Sequence, residues 1–138
     1  MRVLAAVLAL SLPAIALPVQ LPSPWIAGFW FGQGQPNDRS EMWIAHMGAD
    51  GGFHAQFRAC RKGKATDVTN DGHWSLNGDM ETIQIQTVGG QFAPRTDYYA
   101  VLSHDGKSQT YRYLATGFVY TSKRVDAKFQ MPACDLVS

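Results

Sequence analysis

The residue types that most often perform catalysis or bind metals are scattered along this chain of 138 residues. Its histidines lie in four separate segments, without the His-x-His or Cys-x-x-Cys spacing of metal sites: His46, His54, His73 and His104. Glu41 and Glu81 are the only glutamates, and each begins a predicted strand. No Gly-x-Ser-x-Gly nucleophile motif occurs. The sequence therefore predicts a protein that is not an enzyme and that uses no metal or cofactor.

Large aromatic side chains are the most informative chemical feature: Trp30, Trp43, Trp74, Tyr98, Tyr99, Tyr111, Tyr113, Phe118 and Tyr120. Such rings either fill the interior of a small domain or line a cavity that binds an apolar ligand. The candidate ligand-binding residues are Trp43, Trp74, Tyr98, Tyr111, Tyr113 and Tyr120. For a ligand with a carboxylate, the candidate partner is Arg58 or Arg112, because arginine binds carboxylates through paired hydrogen bonds.

Short alternating runs indicate which side chains share a face. In residues 52–60, GFHAQFRAC, apolar and polar side chains alternate, and residues 81–88 show the same pattern. We expect the apolar side chains to face inward and Cys60 to face outward. The other inward candidates are Met42 with Ile44 or Trp43 with Met47, then Tyr98, Leu102 and Phe118. The opposite assignment stays open, with a polar interior formed by Gln56, Arg58, Gln84, Gln86 and Arg112.

Turn dipeptides separate these runs: Asp50-Gly51, Asp71-Gly72, Asn77-Gly78, Gly89-Gly90 and Asp105-Gly106. They are typical of tight hairpins. The expected strands cover residues 28–34, 40–47, 52–60, 65–69, 73–76, 80–88, 96–104, 108–114 and 117–125, with the fourth and fifth allowed to be one bent strand. A series of hairpins hides its edges most completely by closing. The predicted fold is therefore all-β, a closed antiparallel up-and-down barrel of about eight strands, either filled by side chains or holding one small ligand.

The first residues predict export. Residues 1–16 combine one cation, Arg2, with an apolar run and a small-residue cleavage site, as signal peptides do. Residues 17–26 predict an extended, proline-stiffened lead-in, and residues 27–138 the folded domain. Loss of Arg2 would leave 11 of the 12 basic residues against 11 acidic ones. We therefore expect a secreted or periplasmic protein that neither binds nucleic acid nor inserts into a membrane after cleavage.

Two cysteines remain in the predicted mature chain, Cys60 and Cys134. Cysteine pairs of exported proteins tend to form disulfides. The predicted bridge would tie the C-terminal tail to the barrel wall. A catalytic thiol is the alternative, but no histidine lies near either cysteine in the sequence to activate it.

The first and last predicted strands carry a family resemblance. Gly28-Phe29-Trp30 resembles the Gly-x-Trp pattern in the first strand of lipocalins and the wider calycin families, and Arg124, with Lys123 as substitute, matches the basic residue of their last strand. The resemblance implies a barrel whose tryptophan is covered by that arginine. The chain departs from typical lipocalins in being short, in lacking a long helix after the last strand and in having a short first loop. A compact, bacterial-type lipocalin-like protein is expected.

These observations favour a binding protein for a small hydrophobic molecule. The alternative is a protein-interaction barrel, such as a protease inhibitor or an envelope-associated module, because compact disulfide-tied barrels also resemble small secreted inhibitors. Its contact loops would be residues 33–40, 61–66 or 89–95, the last with Phe92 and Arg95 around a proline. A hydrolase or isomerase in the barrel mouth remains a third hypothesis, which requires titratable side chains that converge in one pocket.

Overall fold

A ring of antiparallel strands forms the molecule. The computed structural model describes residues 24–35 and 38–134, and within these ranges eight strands pair in chain order, with β8 closing onto β1. The strands are β1 (Gly28–Gln35), β2 (Asp38–Met47), β3 (Gly52–Arg61), β4 (Lys64–Asn77), β5 (Met80–Val88), β6 (Gln91–His104), β7 (Ser108–Tyr113) and β8 (Val119–Val125). The predicted closed antiparallel barrel is confirmed. None of the described segments is a helix long and apolar enough to cross a membrane.

The turn signals were accurate with one exception. Asp50-Gly51, Asn77-Gly78, Gly89-Gly90 and Asp105-Gly106 all lie at or beside the connections between strands. The prediction of a turn at Asp71-Gly72 is wrong, because this pair lies inside β4 at an irregularity in its pairing with β5. A Cβ atom on Gly72 would lie 1.9 Å from the carbonyl oxygen of Gln84. The glycine therefore permits a close approach of two strands, and the predicted fourth and fifth strands are one strand.

One end of the barrel is sealed by Trp30. Its ring is 1% exposed, and its Nε1 donates a hydrogen bond to the carbonyl oxygen of Ile26 at 2.7 Å. The Arg124 guanidinium lies over the ring, 4.3 Å from the centroid. It also donates hydrogen bonds to the carbonyl oxygens of Trp25, Ala27 and Gly106. One cation thus joins the segment before β1, the turn between β6 and β7, and β8.

The approach to β1 differs from the predicted lead-in. Ala27 donates a backbone hydrogen bond to Pro24 at 3.0 Å, so the chain turns here, and Ile26 is fully buried against Trp30. The prediction of an extended segment through residue 26 is therefore wrong for residues 24–26. Residues 1–23, with the predicted signal peptide and the rest of the lead-in, lie outside the described residues.

A second, smaller core lies on the outer wall. Cys60 and Cys134 form the predicted disulfide, which closes a separation of 74 residues. Both cysteines are buried with Phe31 and Met42, and the tail residue Phe129 packs on this group. Cys60 faces outward as expected. A loop of this length contributes about 4 kcal/mol by the chain-entropy estimate.

Replacement of Arg124 tests the closed end. We expect Arg124→Met to lower the free energy of unfolding by about 3 kcal/mol, because it removes a stacked cation and leaves three carbonyl groups without their donor. The control is Lys123→Met, whose Nζ lies on the exposed side, 5.6 Å from the Phe31 ring centroid, and should cost less than about 1 kcal/mol. Urea unfolding measures both values. Equal losses would contradict the role assigned to Arg124.

Candidate functional site

The barrel interior holds a cavity of about 220 Å³ above the Trp30 seal. Its apolar lining comprises Trp30, Ala45, Met47, Phe53, Phe57 and Ile83, its other aromatic lining Trp43, Tyr99, Tyr111, Tyr113 and Tyr120, and its polar lining Glu41, Glu81, Arg95, Asp97, Gln109 and Ser122. Alternate residues of a strand face the same side of the sheet, so most strands contribute a pair or more of these residues. The predicted apolar-inward assignment holds for Phe53, Phe57 and Ile83.

Glycine in β1 makes room for one of the aromatic walls. Gly32 is the register partner of Trp43, and a Cβ atom at this glycine would lie 2.0 Å from the indole Cζ2. The indole therefore lies directly over β1 and meets the Tyr120 ring edge-on at 5.4 Å. Gly28, at the start of the same strand, has a φ of 129° and lies against the Arg124 guanidinium. The two glycines of β1 thus leave room for the Trp43 indole and for the Arg124 guanidinium.

Tyrosine rings form a contiguous wall. Tyr99 stacks on Tyr113 at 5.0 Å and meets Tyr111 edge-on at 5.6 Å, and Tyr111 lies 6.0 Å from Tyr120. Burial raises the pKa of Tyr99 and Tyr111 well above the usual range, and the nearby carboxyl groups raise it further. Both phenols therefore stay neutral near physiological pH, and both side chains line the cavity.

Two carboxyl groups inside the barrel have different surroundings. Asp97 accepts a hydrogen bond from Arg95 Nε at 3.0 Å and from the Tyr113 hydroxyl at 2.9 Å. Glu81 is 7% exposed, and the described residues supply no cation within ion-pair distance of it. Burial raises the pKa of Glu81 to about 7. Asp97 is thus a compensated charge, whereas no cation of the described residues compensates Glu81.

Two oxygens in the lining have no hydrogen-bond partner among the residues that the structure describes. Gln109 on β7 and Ser122 on β8 are register partners and are 5% and 2% exposed. No described group bonds to Gln109 Oε1 or to Ser122 Oγ. A buried polar atom without a partner costs about 1–3 kcal/mol. The lining therefore contains two acceptors that the described residues do not satisfy, together with the Glu81 carboxyl, which has no cation partner among these residues.

A second cavity of about 350 Å³ adjoins the first, with which it shares Glu41, Phe57 and Arg95. Its other lining residues are Arg58, Ala59, Thr66, Val68, Asn70 and Val88. We refer to the two as the inner cavity, above Trp30, and the outer cavity. The shared residues make the two cavities neighbours.

The structure places half of the predicted ligand-binding residues at the inner cavity. Trp43, Tyr111, Tyr113 and Tyr120 line it. Trp74 does not: it packs against the core at the closed end, and its Nε1 donates to the Gly48 carbonyl oxygen at 2.8 Å.

The remaining predicted site residues do not line the inner cavity. Tyr98 is 49% exposed and Arg112 is exposed, because each alternates with an inward-facing tyrosine on its strand. Arg58 alternates with Phe57, and its guanidinium bonds to Asp67, with Nε to Oδ1 at 2.7 Å. It borders only the outer cavity. The inward placement of Leu102 and Phe118 is also wrong, as these side chains are 48% and 53% exposed.

The polar lining was missed although the alternation contained it. Glu81 lies two residues before Ile83, and Gln109 lies two residues before Tyr111, so each continues an inward face. Asp97 has the same relation to Tyr99. Glu41 and Glu81 were predicted only as the first residues of strands, but both belong to the inward face. For the second strand, the open choice is resolved in favour of Trp43 and Met47.

The histidines do not assemble a metal centre. In the part of the chain that the structure describes, no three His, Cys, Asp or Glu side chains come close enough to hold a metal ion. His46 stacks on Phe29 at 4.1 Å, His104 stacks on Trp25 at 3.7 Å, and His54 Nδ1 lies 2.6 Å from Asp71 Oδ1.

Comparison with known proteins found no match: no protein-family model, no curated protein and no solved structure matches this chain. The features established by the structure itself are the closed eight-strand barrel, the Cys60–Cys134 disulfide and the cavity in the barrel interior. The disulfide is compatible with an extracellular or periplasmic location.

The buried Glu81 carboxyl predicts a pH-dependent stability. Its pKa is about 7 in the folded protein against 4.5 as its ordinary value, so the folded state binds the proton more tightly than the unfolded chain. Stability should therefore fall as the pH rises from about 4.5 to about 7, by about 3 kcal/mol in all. The titratable groups facing Glu81 from β6 and β7 are Tyr99 and Tyr111, which remain neutral over this range.

Glu81→Gln should remove this fall and make the protein more stable than the parent at about pH 8, by up to about 3 kcal/mol. Asp79→Asn is the control, because Asp79 is an exposed acid in the turn before β5 and should leave the pH profile unchanged. Urea unfolding at a series of pH values measures the three profiles. Parallel profiles for the parent and Glu81→Gln would contradict the assignment.

Proposed function

We propose that this protein binds a small hydrophobic molecule inside a lipocalin-like barrel. The observation that carries the proposal is the inner cavity of about 220 Å³ with walls of tryptophan and tyrosine. Barrels of about eight strands either fill the interior with side chains or hold one small ligand. Concave, mostly apolar spaces with a few convergent polar groups are where small-molecule sites are usually found.

The size of the inner cavity limits the ligand. It lies below the range of about 300–1,000 Å³ that is common for drug-sized ligands. A small ring compound, or the narrow end of a longer molecule that extends into the outer cavity, fits this space. A ligand that buries about 200 Å² of apolar surface gains about 5 kcal/mol from that burial before the costs of association.

The closed end supports the lipocalin-like assignment. Gly28, Trp30 and Arg124 occupy the positions that the resemblance implies, with Arg124 stacked on Trp30 and bonded to neighbouring backbone carbonyls. A rigid seal at one end makes the other end the route of entry. The connections at that other end include Lys62-Gly63, Gly89-Gly90 and residues 114–118.

An exported location accords with this function. The charge and apolar pattern of residues 1–16 is that of a signal peptide, and the Cys60–Cys134 bridge is of the kind that persists in oxidising compartments. We infer that the mature protein is secreted or periplasmic and that it meets its ligand there.

A protein-interaction role is the second candidate, and exposed apolar residues at the open end favour it. Phe92 is 80% exposed next to the Gly89-Gly90 turn, and Leu114 and Phe118 are exposed in the connection between β7 and β8. Arg95, the other residue predicted for this contact loop, is half exposed, bonds to Asp97 and also lines the inner cavity. Protease inhibition that is lost in Phe92→Ser and retained in a cavity-filled variant would favour this role.

Thermal unfolding with a library of small hydrophobic molecules tests the proposed binding. A ligand present at about 100 times its Kd should stabilise the protein by about 2.7 kcal/mol and raise Tm. Ala45→Leu fills the inner cavity and should lower ligand affinity by at least about 10-fold. The control Ala65→Leu adds the same atoms on the exposed part of β4 and should leave affinity unchanged. The proposal fails if no compound raises Tm, or if both variants bind equally well.

A further inference from the structure

We propose that the ligand is a small organic cation, an aryl or alkyl amine whose ammonium group binds at Glu81, Gln109 and Ser122 in the inner cavity. This inference rests on the proposed function and adds the chemical class of the ligand. It also reverses the expectation that a ligand carboxylate would bind Arg58 or Arg112, because neither of these side chains lines the inner cavity.

The charge of the lining favours a cation. Among the described residues, the buried carboxyl groups of Glu81 and Asp97 and the exposed one of Glu41 line the inner cavity, against a single guanidinium, that of Arg95. Arg95 is already bonded to Asp97 at 3.0 Å. Glu81 is therefore a buried acid that no cation in the described part of the chain compensates, and an anionic ligand would increase the unfavourable charge.

The unsatisfied atoms match an ammonium group in hydrogen-bonding type. An ammonium group offers donors and no acceptor. Gln109 Oε1 and Ser122 Oγ can each accept a hydrogen bond and have no partner among the described residues. The Glu81 carboxylate accepts as well. A ligand carboxylate could satisfy neither Gln109 Oε1 nor Glu81, since it brings acceptors to acceptors.

The aromatic walls suit the same ligand. Trp43, Tyr99, Tyr111, Tyr113 and Tyr120 surround the inner cavity. The faces of such rings attract cations, by about 2 kcal/mol or more when water is excluded. They also provide apolar area for the carbon part of an amine.

The charge state of Glu81 makes the binding pH-dependent. Burial keeps its pKa near 7, and a bound cation favours the ionised form. Simple amines stay protonated to about pH 10. Affinity for an amine should therefore rise by about 5-fold or more between about pH 6 and about pH 8. The neutral phenols of Tyr99 and Tyr111 and the Arg95–Asp97 pair are the other ionisable groups around this site.

Three probes of similar size separate the ligand classes: 2-phenylethylamine, 2-phenylethanol and 3-phenylpropionate. Titration followed by tryptophan fluorescence uses Trp43 and Trp30, which line the inner cavity. The amine should bind at least about 10-fold more tightly than the alcohol at about pH 8, and the carboxylate should bind most weakly. Glu81→Gln should lower amine affinity by about 10-fold and change alcohol affinity by less than about 2-fold. The control Asp79→Asn, outside the barrel, should change neither.

Equal affinity for amine and alcohol, tighter binding of the carboxylate, or unchanged amine affinity in Glu81→Gln would overturn the inference. The proposed function is assessed separately with 2-phenylethanol in Ala45→Leu and Ala65→Leu. If the alcohol binds and Ala45→Leu abolishes its binding while the amine shows no preference, only the ligand class is wrong. If none of the three probes binds and no library compound raises Tm, both proposals fail.

Discussion

The stacking of Arg124 on Trp30 is the contact on which the closed end depends. The guanidinium lies 4.3 Å from the ring centroid and bonds to carbonyl groups before β1 and between β6 and β7. Because β1 and β8 are the strands whose pairing closes the barrel, this one side chain joins the two ends of the sheet at the point where it must seal. A planar cation suits the position, since it can stack on an indole and donate in several directions at once.

Because Trp30 seals one end of the barrel, its ring forms the floor of the inner cavity. The tyrosines of β6, β7 and β8 form a wall above it. Glu81, Gln109 and Ser122 introduce polar atoms that lower stability unless a partner satisfies them. A protein selected only for stability would be expected to hold apolar side chains at these positions. The combination of a hollow barrel and unsatisfied acceptors is therefore the physical basis of the ligand-binding function that we propose.

The alternation and turn dipeptides were sufficient to predict the barrel, because a period of two and tight turns together specify antiparallel hairpins. The turn prediction failed at Asp71-Gly72, because there the glycine lies inside β4 and allows a close approach of β5. The candidate site was half predicted. Trp43, Tyr111, Tyr113 and Tyr120 line the inner cavity. Arg58 and Arg112 do not, because each alternates with an inward-facing aromatic residue.

Other features of the site depend on information that no single strand contains. Whether the interior is hollow follows from how side chains of opposing strands meet across the barrel, which local pattern does not determine. The place of Trp43 over Gly32 follows from the register between β1 and β2. The pairing of Arg58 with Asp67 on the outer wall follows from the register between β3 and β4.

The most direct measurement of the central claim is the response of the four tryptophan indole N–H signals in a ¹⁵N-labelled sample to added 2-phenylethylamine and 2-phenylethanol. Trp43 and Trp30 line the inner cavity, whereas Trp25 and Trp74 do not. We expect saturable shifts that are largest for Trp43, with smaller changes for Trp25 and Trp74. Shifts confined to Trp25 or Trp74, or no saturable shift of Trp43 with either probe, would contradict an interior binding site.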